Sequence, residues 1–217
     1  NFLKLSTSDL SLSLVQGATG STTVAATLVI ADLINISVFA TGGIGGAHRG
    51  SETNFDISAD LKQLANSSVN LICAGPKAIL DIPKTIELLE TLGVPLITFR
   101  SENIPAFWSR DSGLKSPNVA ENIMQIVNSY QARSMLGLRA GQLICNPIPR
   151  SEEIKQNVIE PLVQSAVVEA LERKIGGKEL TPFLLAKVLS LTGGQSVTAN
   201  KGLFINNVKL ASKIAKK

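Results

Sequence analysis

The sequence predicts an α/β protein with a layered αβα architecture around a central mixed, largely parallel sheet. Two observations indicate this class: short apolar runs alternate with longer amphipathic stretches, and the first of these runs ends in a glycine-rich loop. The chain has 217 residues and is 44% hydrophobic, which is enough to bury a large core. At about 150 residues per domain, this length favours a single domain over residues 1–217.

The strands are predicted from short runs of apolar and β-branched residues that end in turn residues. Gly42, Gly75 and Pro147 each follow such a run within two residues. The predicted strands are 36–40, 69–73, 94–99 and 141–145.

The helices are predicted from capping residues and from apolar residues at helical spacing. Thr22 or Thr23 is placed to cap a helix that ends near Asn35, and Ser58 is placed to cap the next one. Pro76 suits the first position of a helix after the second strand. The other predicted helices are 59–65, 84–92, 121–135, 152–174, 181–192 and 196–215, and the segment 104–118 is predicted to be a loop.

The composition argues against nucleic acid or a membrane as a partner. The chain has 21 Lys and Arg against 17 Asp and Glu, a formal net charge of +4, and only 4% aromatic residues. A nucleic-acid binder would cluster its basic residues and interleave aromatic rings, whereas these basic residues are mostly scattered. The mild positive charge suits a small anionic ligand or simply a solvated surface. No apolar stretch reaches the roughly 20 residues that a membrane-spanning helix needs.

The two cysteines, Cys73 and Cys145, both lie in apolar, strand-like runs. Two cysteines do not make a disulfide framework, and buried free thiols are typical of a reducing compartment. No secretory signal is visible. We therefore expect an intracellular protein, located in the cytoplasm.

Five glycines between Gly42 and Gly50 follow the first predicted strand. Glycine permits positive φ and lets backbone N–H groups approach an anion closely. The pattern is not the dinucleotide fingerprint, because His48 stands where the third glycine would be, and no phosphate-loop lysine follows. The loop is therefore compatible with an anion site and equally with a tight structural turn.

The glycine loop leads into the densest polar cluster of the chain. His48 is the only histidine, which excludes a multi-histidine metal site and leaves a structural or a functional role open. Asp56 and Asp60 are four residues apart, and a helix that begins near Ser58 would place both at its N-terminus. Carboxylates with water ligands suit Mg²⁺ or Mn²⁺. The alternative is helix capping by Ser58 with Asp60 as a favourable first-turn acid.

Lys77 follows the very apolar second strand and the turn Ala74-Gly75-Pro76. A lysine at the carboxyl end of a buried strand is well placed for desolvation, which lowers its pKa and frees the amine for Schiff-base chemistry on a sugar carbonyl. The alternative is a surface lysine on the first turn of a helix.

Taken together, these segments resemble the pseudouridine-5′-phosphate glycosidases, a family that includes the indigoidine synthase A-like proteins. The order and spacing of six blocks agree over essentially the whole chain, which is far more specific than any one block. The matching stretches are 39–50, 56–61, 73–81, 146–149, 181–186 and 191–194, with Asn200 just beyond.

The resemblance implies a lyase that reversibly cleaves the C–C glycosidic bond of pseudouridine 5′-phosphate to uracil and ribose 5-phosphate. It implies that Lys77 forms a Schiff base with the opened sugar, and that Asp56 holds a divalent metal, usually manganese, largely through waters. It also implies a homotrimer. The substrate contacts it implies are Lys4, Val24, Ser58, Ala59 and Asp60, with His48 and Asn200 as further site residues.

One departure from the family concerns a proton-donating glutamate near its N-terminus. Nothing here matches that glutamate, because the sequence starts only a few residues before Lys4. We expect the missing N-terminal segment to belong to a longer protein or to be a separate chain, and these 217 residues alone to lack turnover. Two alternatives stay open: a catalytically inactive relative, and a metal-dependent sugar-phosphate or nucleotide enzyme that uses Asp56 and Asp60 without covalent catalysis.

Overall fold

Parallel strands form the framework of the molecule. A computed structural model describes residues 2–217, apart from the side chain of Lys178. The strands in this part of the chain are β1 (Leu3–Leu5), β2 (Gly20–Thr22), β3 (Val38–Ala40), β4 (Asn70–Cys73), β5 (Leu96–Phe99), β6 (Val119–Ala120) and β7 (Gln142–Cys145). Five of them form one sheet in the order β3–β4–β7–β5–β6, and β1 pairs with β2 in a second, small sheet. All of these pairings are parallel.

Helices cover both faces of the larger sheet. They are α1 (Thr7–Val15), α2 (Val24–Leu33), α3 (Ser51–Asn54), α4 (Ala59–Ala65), α5 (Ile82–Thr91), α6 (Ile123–Met135), α7 (Gln156–Glu172), α8 (Leu180–Leu191) and α9 (Gln195–Ala215), with a 3₁₀ turn at Gly177–Glu179. Alternate strand residues face opposite layers. Leu71 and Leu143 pack towards α2, α4 and α5, whereas Ile72 and Ile144 pack towards α6 and α9. The predicted αβα class is therefore confirmed.

The chain differs from the sequence prediction around Pro76. This proline does not begin a helix: it continues the pairing of β4 through a parallel bridge to Ile44. Helix α5 begins only at Ile82, where the Asp81 side chain caps it by accepting a hydrogen bond from the Lys84 N–H at 3.1 Å. A proline has no N–H to donate, so it is tolerated where the pairing of a strand ends.

The N-terminal residues also differ from the prediction. Residues 17–23 were predicted to form a turn and a helix start, but Gly20–Thr22 is strand β2, paired with Leu3–Leu5. The predicted helix cap is confirmed at Thr23, whose hydroxyl accepts a hydrogen bond from the Ala26 N–H at 3.3 Å.

The two cysteines are free and buried, as predicted. They are register partners on β4 and β7. A hydrogen bond with Cys73 and complete burial raise the pKa of the Cys145 thiol well above its usual range, which makes it a poor nucleophile. As for membranes, none of the helices in residues 2–217 is both long enough and apolar enough to cross a bilayer.

Candidate active site

A cavity of about 960 Å³ opens at the carboxyl ends of β3 and β4. Ligand sites of parallel α/β sheets are found at this edge. Most of the predicted site residues meet here, although they come from six different segments of the chain. Those that line the cavity are Lys4, Val24, His48, Asp56, Ser58, Asp60, Lys77 and Asn200. Ala59, the first residue of α4, is not among the lining residues.

The glycine loop and the segment that carries Lys77 run side by side. They extend the pairing of β3 with β4 beyond the strands, because the Ala74 N–H donates to the Gly42 carbonyl at 2.8 Å and the Lys77 N–H donates to the Ile44 carbonyl at 3.1 Å. The lysine is therefore fixed to the glycine loop by backbone hydrogen bonds, and this contact places it in the cavity.

Two buried asparagines hold the start of the glycine loop. Asn207, on α9, donates from Nδ2 to the Thr41 carbonyl at 2.9 Å. Its Oδ1 accepts a hydrogen bond from Asn146 Nδ2 at 3.1 Å, and Asn146 directly follows β7. Asn146 therefore supports the glycine loop indirectly, through the side-chain amide of Asn207.

Gly43, Gly45 and Gly46 are required for close packing, whereas Gly50 adopts a positive φ. Of the loop glycines only Gly50 has a positive φ, of 84°. A Cβ at Gly43 would lie 2.6 Å from the Phe107 ring, which excludes any larger residue there. The sequence left an anion site and a structural turn open for this loop. The structural turn is favoured for its central part, because the N–H groups of Ile44, Gly45, Ala47 and His48 all donate to protein oxygens.

Asp60 joins three parts of the site. Its Oδ1 accepts a hydrogen bond from the Ala25 N–H at 2.8 Å, and its Oδ2 accepts one from the Gly45 N–H, also at 2.8 Å. The Ser58 hydroxyl caps the helix by accepting the Asp60 N–H at 3.2 Å, as predicted. Asp60 is a buried residue, 5% exposed, and its carboxylate ties α2, α4 and the glycine loop together. Both of its oxygens are already used by backbone donors.

Lys77 is half-buried in the cavity wall. Burial lowers the pKa of its amine, and the positive charge of Lys4 lowers it further, while Asp60 and Cys73 act in the opposite direction. Desolvation penalises the ammonium form, so a larger fraction of the amine is neutral than on an exposed lysine. This is the environment that the sequence predicted for a nucleophilic lysine.

His48 and Asp56 lie together at the border of the cavity. The His48 N–H donates to the Asp56 carbonyl at 3.0 Å, and His48 Nε2 lies 3.4 Å from the Thr181 hydroxyl. Burial lowers the pKa of the His48 ring, and Lys77 and Lys4 add to the effect, whereas Asp56 opposes it. The ring is therefore neutral at neutral pH and can accept or donate a hydrogen bond.

The side chains that could bind a metal ion allow only a site in which water supplies most of the ligands. Among residues 2–217, no three His, Cys, Asp or Glu side chains are grouped so that they could hold a metal ion. Asp56 nevertheless lines the cavity with a half-exposed carboxylate. Mg²⁺ and similar hard cations bind through one or two carboxylates and keep several waters, so Asp56 fits such an ion.

Comparison with known proteins identifies the family of the chain. The family model described as indigoidine synthase A like protein matches residues 1–217. The chain belongs to the indigoidine synthase A-like family.

Relatives within this family share about half of their residues with the chain. The pseudouridine-5′-phosphate glycosidase of Paracoccus denitrificans is 54% identical over 213 residues, which is 98% of this chain and 70% of the relative. The protein of the same name from Solibacter usitatus is 49% identical over 215 residues, which is 99% of this chain and 72% of the relative.

Two solved structures have the same fold. The indigoidine synthase A-like protein of Thermotoga maritima superposes with a TM-score of 0.92 at 37% identity, over 99% of this chain and 70% of its own. The prealnumycin C-glycosynthase AlnA, solved in complex with ribulose 5-phosphate, gives a TM-score of 0.93 at 29% identity, over 99% of this chain and 71% of its own.

The indigoidine synthase A-like chain has cavity residues that sequence reasoning missed. Thr181 lay inside a matching block but was given no role. Phe107 lies in the segment predicted only as a loop, where a pair of aromatic residues among polar ones was the available signal. Ser21, Thr22 and Phe204 also line the cavity, and no local pattern marked them.

We expect Gly45→Ala to damage both the stability and the activity of this family member. A Cβ there would overlap the Ser58 hydroxyl and lie 3.0 Å from Asp60 Oδ2. Overpacking of this kind costs about 1–3 kcal/mol of the free energy of unfolding. Urea unfolding measures the loss. Gly42→Ala is the matched control, because its nearest neighbour would be Leu203 at 3.4 Å. Equal stabilities of the two variants would contradict the close packing at Gly45.

Proposed function

We propose that the chain supplies the Schiff-base lysine, Lys77, of an enzyme that reversibly cleaves pseudouridine 5′-phosphate to uracil and ribose 5-phosphate. The observation that carries the proposal is the half-buried Lys77 amine, with its lowered pKa, in a cavity of about 960 Å³ at the sheet edge. The names of the relatives support the substrate. The C-glycosynthase neighbour supports the chemistry, because its name denotes C-glycoside formation and its structure was solved with a pentose phosphate.

The chemistry requires an amine because the bond to be broken joins two carbons. The neutral Lys77 amine displaces the ring oxygen at C1′, which takes up a proton as the sugar opens. The nitrogen lone pair then forms a C1′=N bond, while the electron pair of the C1′–C5 bond leaves with uracil and a proton is added at C5. Water hydrolyses the imine, which releases ribose 5-phosphate and restores the amine.

Lys4 and nearby hydroxyl groups form the part of the cavity best suited to the phosphate. Ser6, Ser21 and Thr22 line the cavity on the same N-terminal elements as Lys4. An ammonium group and hydroxyl donors are suitable partners for phosphate oxygens. We therefore propose that Lys4 binds the phosphate together with these hydroxyls, since the central amides of the glycine loop already have partners within the protein.

We propose Asp56 as the protein ligand of the divalent metal, with manganese as the ion and water as the remaining ligands. The support is its carboxylate in the cavity wall beside His48. When bound, the cation supplies positive charge beside the sugar phosphate.

The full gene product is expected to release uracil from pseudouridine 5′-phosphate, measured by chromatography, with added Mn²⁺ and much less with a chelator. Asp56→Asn should weaken metal activation at least about tenfold, because a neutral amide is a poorer ligand for a hard cation. Glu102→Gln, at an exposed carboxylate paired with Lys115, is the control. Activity that is indifferent to metal would remove the role of Asp56, and no uracil release at all would favour an inactive relative.

Other features of the proposal rest on the family resemblance. Residues 1–217 expressed alone are proposed to lack turnover, since no residue in them matches the proton-donating glutamate. A homotrimer is proposed as the assembly. Several large apolar side chains of α1 and α2 are exposed, which is typical of surfaces that contact a partner: Leu12, Leu14, Val15 and Leu33.

A further inference from the structure

Trp108 is bonded to a residue of the cavity. It is the only tryptophan of the chain and is 1% exposed. Its indole N–H donates to Asn200 Oδ1 at 2.8 Å. An indole nitrogen can donate but cannot accept, so the Asn200 carboxamide must turn its oxygen towards the tryptophan.

The Trp108 ring is held firmly in this position. Its backbone carbonyl accepts a hydrogen bond from the Ile154 N–H at 2.9 Å, and the Ser109 hydroxyl donates to the Ile154 carbonyl at 2.6 Å. The Phe107 ring lies edge-on to it, with 5.0 Å between the ring centres and 62° between the planes. The buried side chain therefore offers its N–H in one fixed direction.

This hydrogen bond decides what Asn200 presents to a ligand. With Oδ1 occupied by the indole, the Nδ2 group is left with two N–H donors, and no acceptor for it is found within residues 2–217. Asn200 lines the cavity. A ligand atom that meets Asn200 therefore meets donors only, and a carbonyl oxygen fits where an amino group does not.

The neighbours of Asn200 indicate which part of a ligand lies there. Phe107, Leu203 and Phe204 share the cavity wall with it, so this part of the wall is apolar and aromatic. Lys4 and the hydroxyl groups of Ser6, Ser21 and Thr22 belong to the N-terminal elements instead. A nucleobase has flat apolar faces and polar edges, whereas a sugar phosphate is polar throughout, so the base fits the wall that contains Asn200.

We propose that Trp108 is a positioning residue that fixes Asn200 as a donor to a carbonyl oxygen of the nucleobase, and so selects uracil over bases with an amino group at that edge. The inference rests on the proposed function for the identity of the base. Hydrogen bonding of this kind discriminates better than shape, because a mismatched base leaves buried polar groups unpaired.

The bond itself is tested by NMR, because a single tryptophan gives a single indole N–H signal. We expect this signal to exchange slowly with solvent in the wild type and in Asn200→Asp, whose carboxylate still accepts the indole N–H. Exchange should be at least about tenfold faster in Asn200→Ala. Equal exchange in all three proteins would overturn the positioning role.

Selectivity is tested by ligand-detected NMR titration with the free bases uracil, cytosine and isocytosine. Cytosine and isocytosine each replace a different carbonyl of uracil by an amino group. The wild type should bind uracil at least about tenfold more tightly than one of them. In Trp108→Phe, which keeps an aromatic ring but frees the amide to rotate, that ratio should fall below about threefold. Asn200→Asp should reverse the preference.

A matched packing control separates positioning from a general loss of structure. Ile159→Val removes one methyl group from the same hydrophobic cluster as Trp108, so its base selectivity should stay unchanged. An equal loss of selectivity in Trp108→Phe and Ile159→Val would overturn the inference, as would a wild type that binds the three bases alike. These binding ratios do not depend on turnover, so absent uracil release would count against the proposed function alone.

Discussion

In the full gene product, Lys77→Met is expected to lower kcat at least about 10⁴-fold, which is typical when a covalent nucleophile is removed. Methionine fills a similar volume but has no amine, so no imine can form with the opened sugar. The measurement is uracil release together with the intact mass after incubation with ribose 5-phosphate and borohydride. The wild type should gain one reduced pentose phosphate adduct, and Lys77→Met none.

Two lysine variants make this result specific. Lys77→Arg keeps a positive charge in the cavity but has no nucleophilic amine, so it should be inactive and form no adduct. Lys115→Met alters an exposed lysine that is paired with Glu102, and it should be trapped like the wild type. An adduct that persists in Lys77→Met would move the covalent role to another residue.

The pH profile reports the same amine. Burial lowers the pKa of Lys77, with Lys4 adding to the effect, so kcat/KM should rise with pH to a midpoint below the ordinary lysine value of 10.5. The linked effect on stability has a definite sign. Between the lowered pKa and 10.5 the unfolded chain binds more protons than the folded one, so the free energy of unfolding should rise with pH in that window. Lys77→Met should lack this rise, which is measured by urea unfolding at pH 7 and pH 10.

Local sequence patterns were sufficient to predict the strands and helices that form the site, but not the contacts between them. Strands β4 and β7 are recognisable because a strand buried in a parallel sheet is nearly continuous in apolar residues, here Leu71–Cys73 and Leu143–Cys145. The caps at Thr23 and Ser58 follow from a local bond between side chain and backbone. The loop of Phe107 and Trp108 has no such signature, because its path is set by bonds to distant segments such as the one from Ile154 to the Trp108 carbonyl.

Asp60 shows why the sequence left the role of the glycine loop open. Asp60 sits at a helix N-terminus, so the sequence predicted a metal ligand or a first-turn acid. Its actual partners are the N–H groups of Ala25 and Gly45, which are 35 and 15 residues away along the chain. Glycines usually signal positive φ or an anion, whereas here a protein carboxylate takes the place of the anion. No periodicity in the sequence encodes that distant pairing.

This arrangement makes Asp60→Asn the second substitution for which we expect a large effect. The amide can accept one of the two backbone N–H bonds through its oxygen, but it places an NH₂ group against the other donor. An unpaired buried N–H costs about 1–3 kcal/mol, and the charge that strengthened both bonds is also lost. We expect a loss of about 2–4 kcal/mol in the free energy of unfolding, measured with urea. Asp32→Asn is the control, because its 3.3 Å bond from the Ser68 N–H is exposed.

The substitution also separates two roles of the carboxylate: it holds two backbone N–H groups, and it is the main group that raises the pKa of Lys77. Without this negative charge the amine is neutral at a lower pH, so in Asp60→Asn the pH profile of kcat/KM should move towards acid even as kcat falls. A purely structural Asp60 would lower kcat without moving the profile. A shift towards alkaline pH would mean that the carboxylate does not raise the pKa of the amine, and the electrostatic part of the site would have to be reassigned.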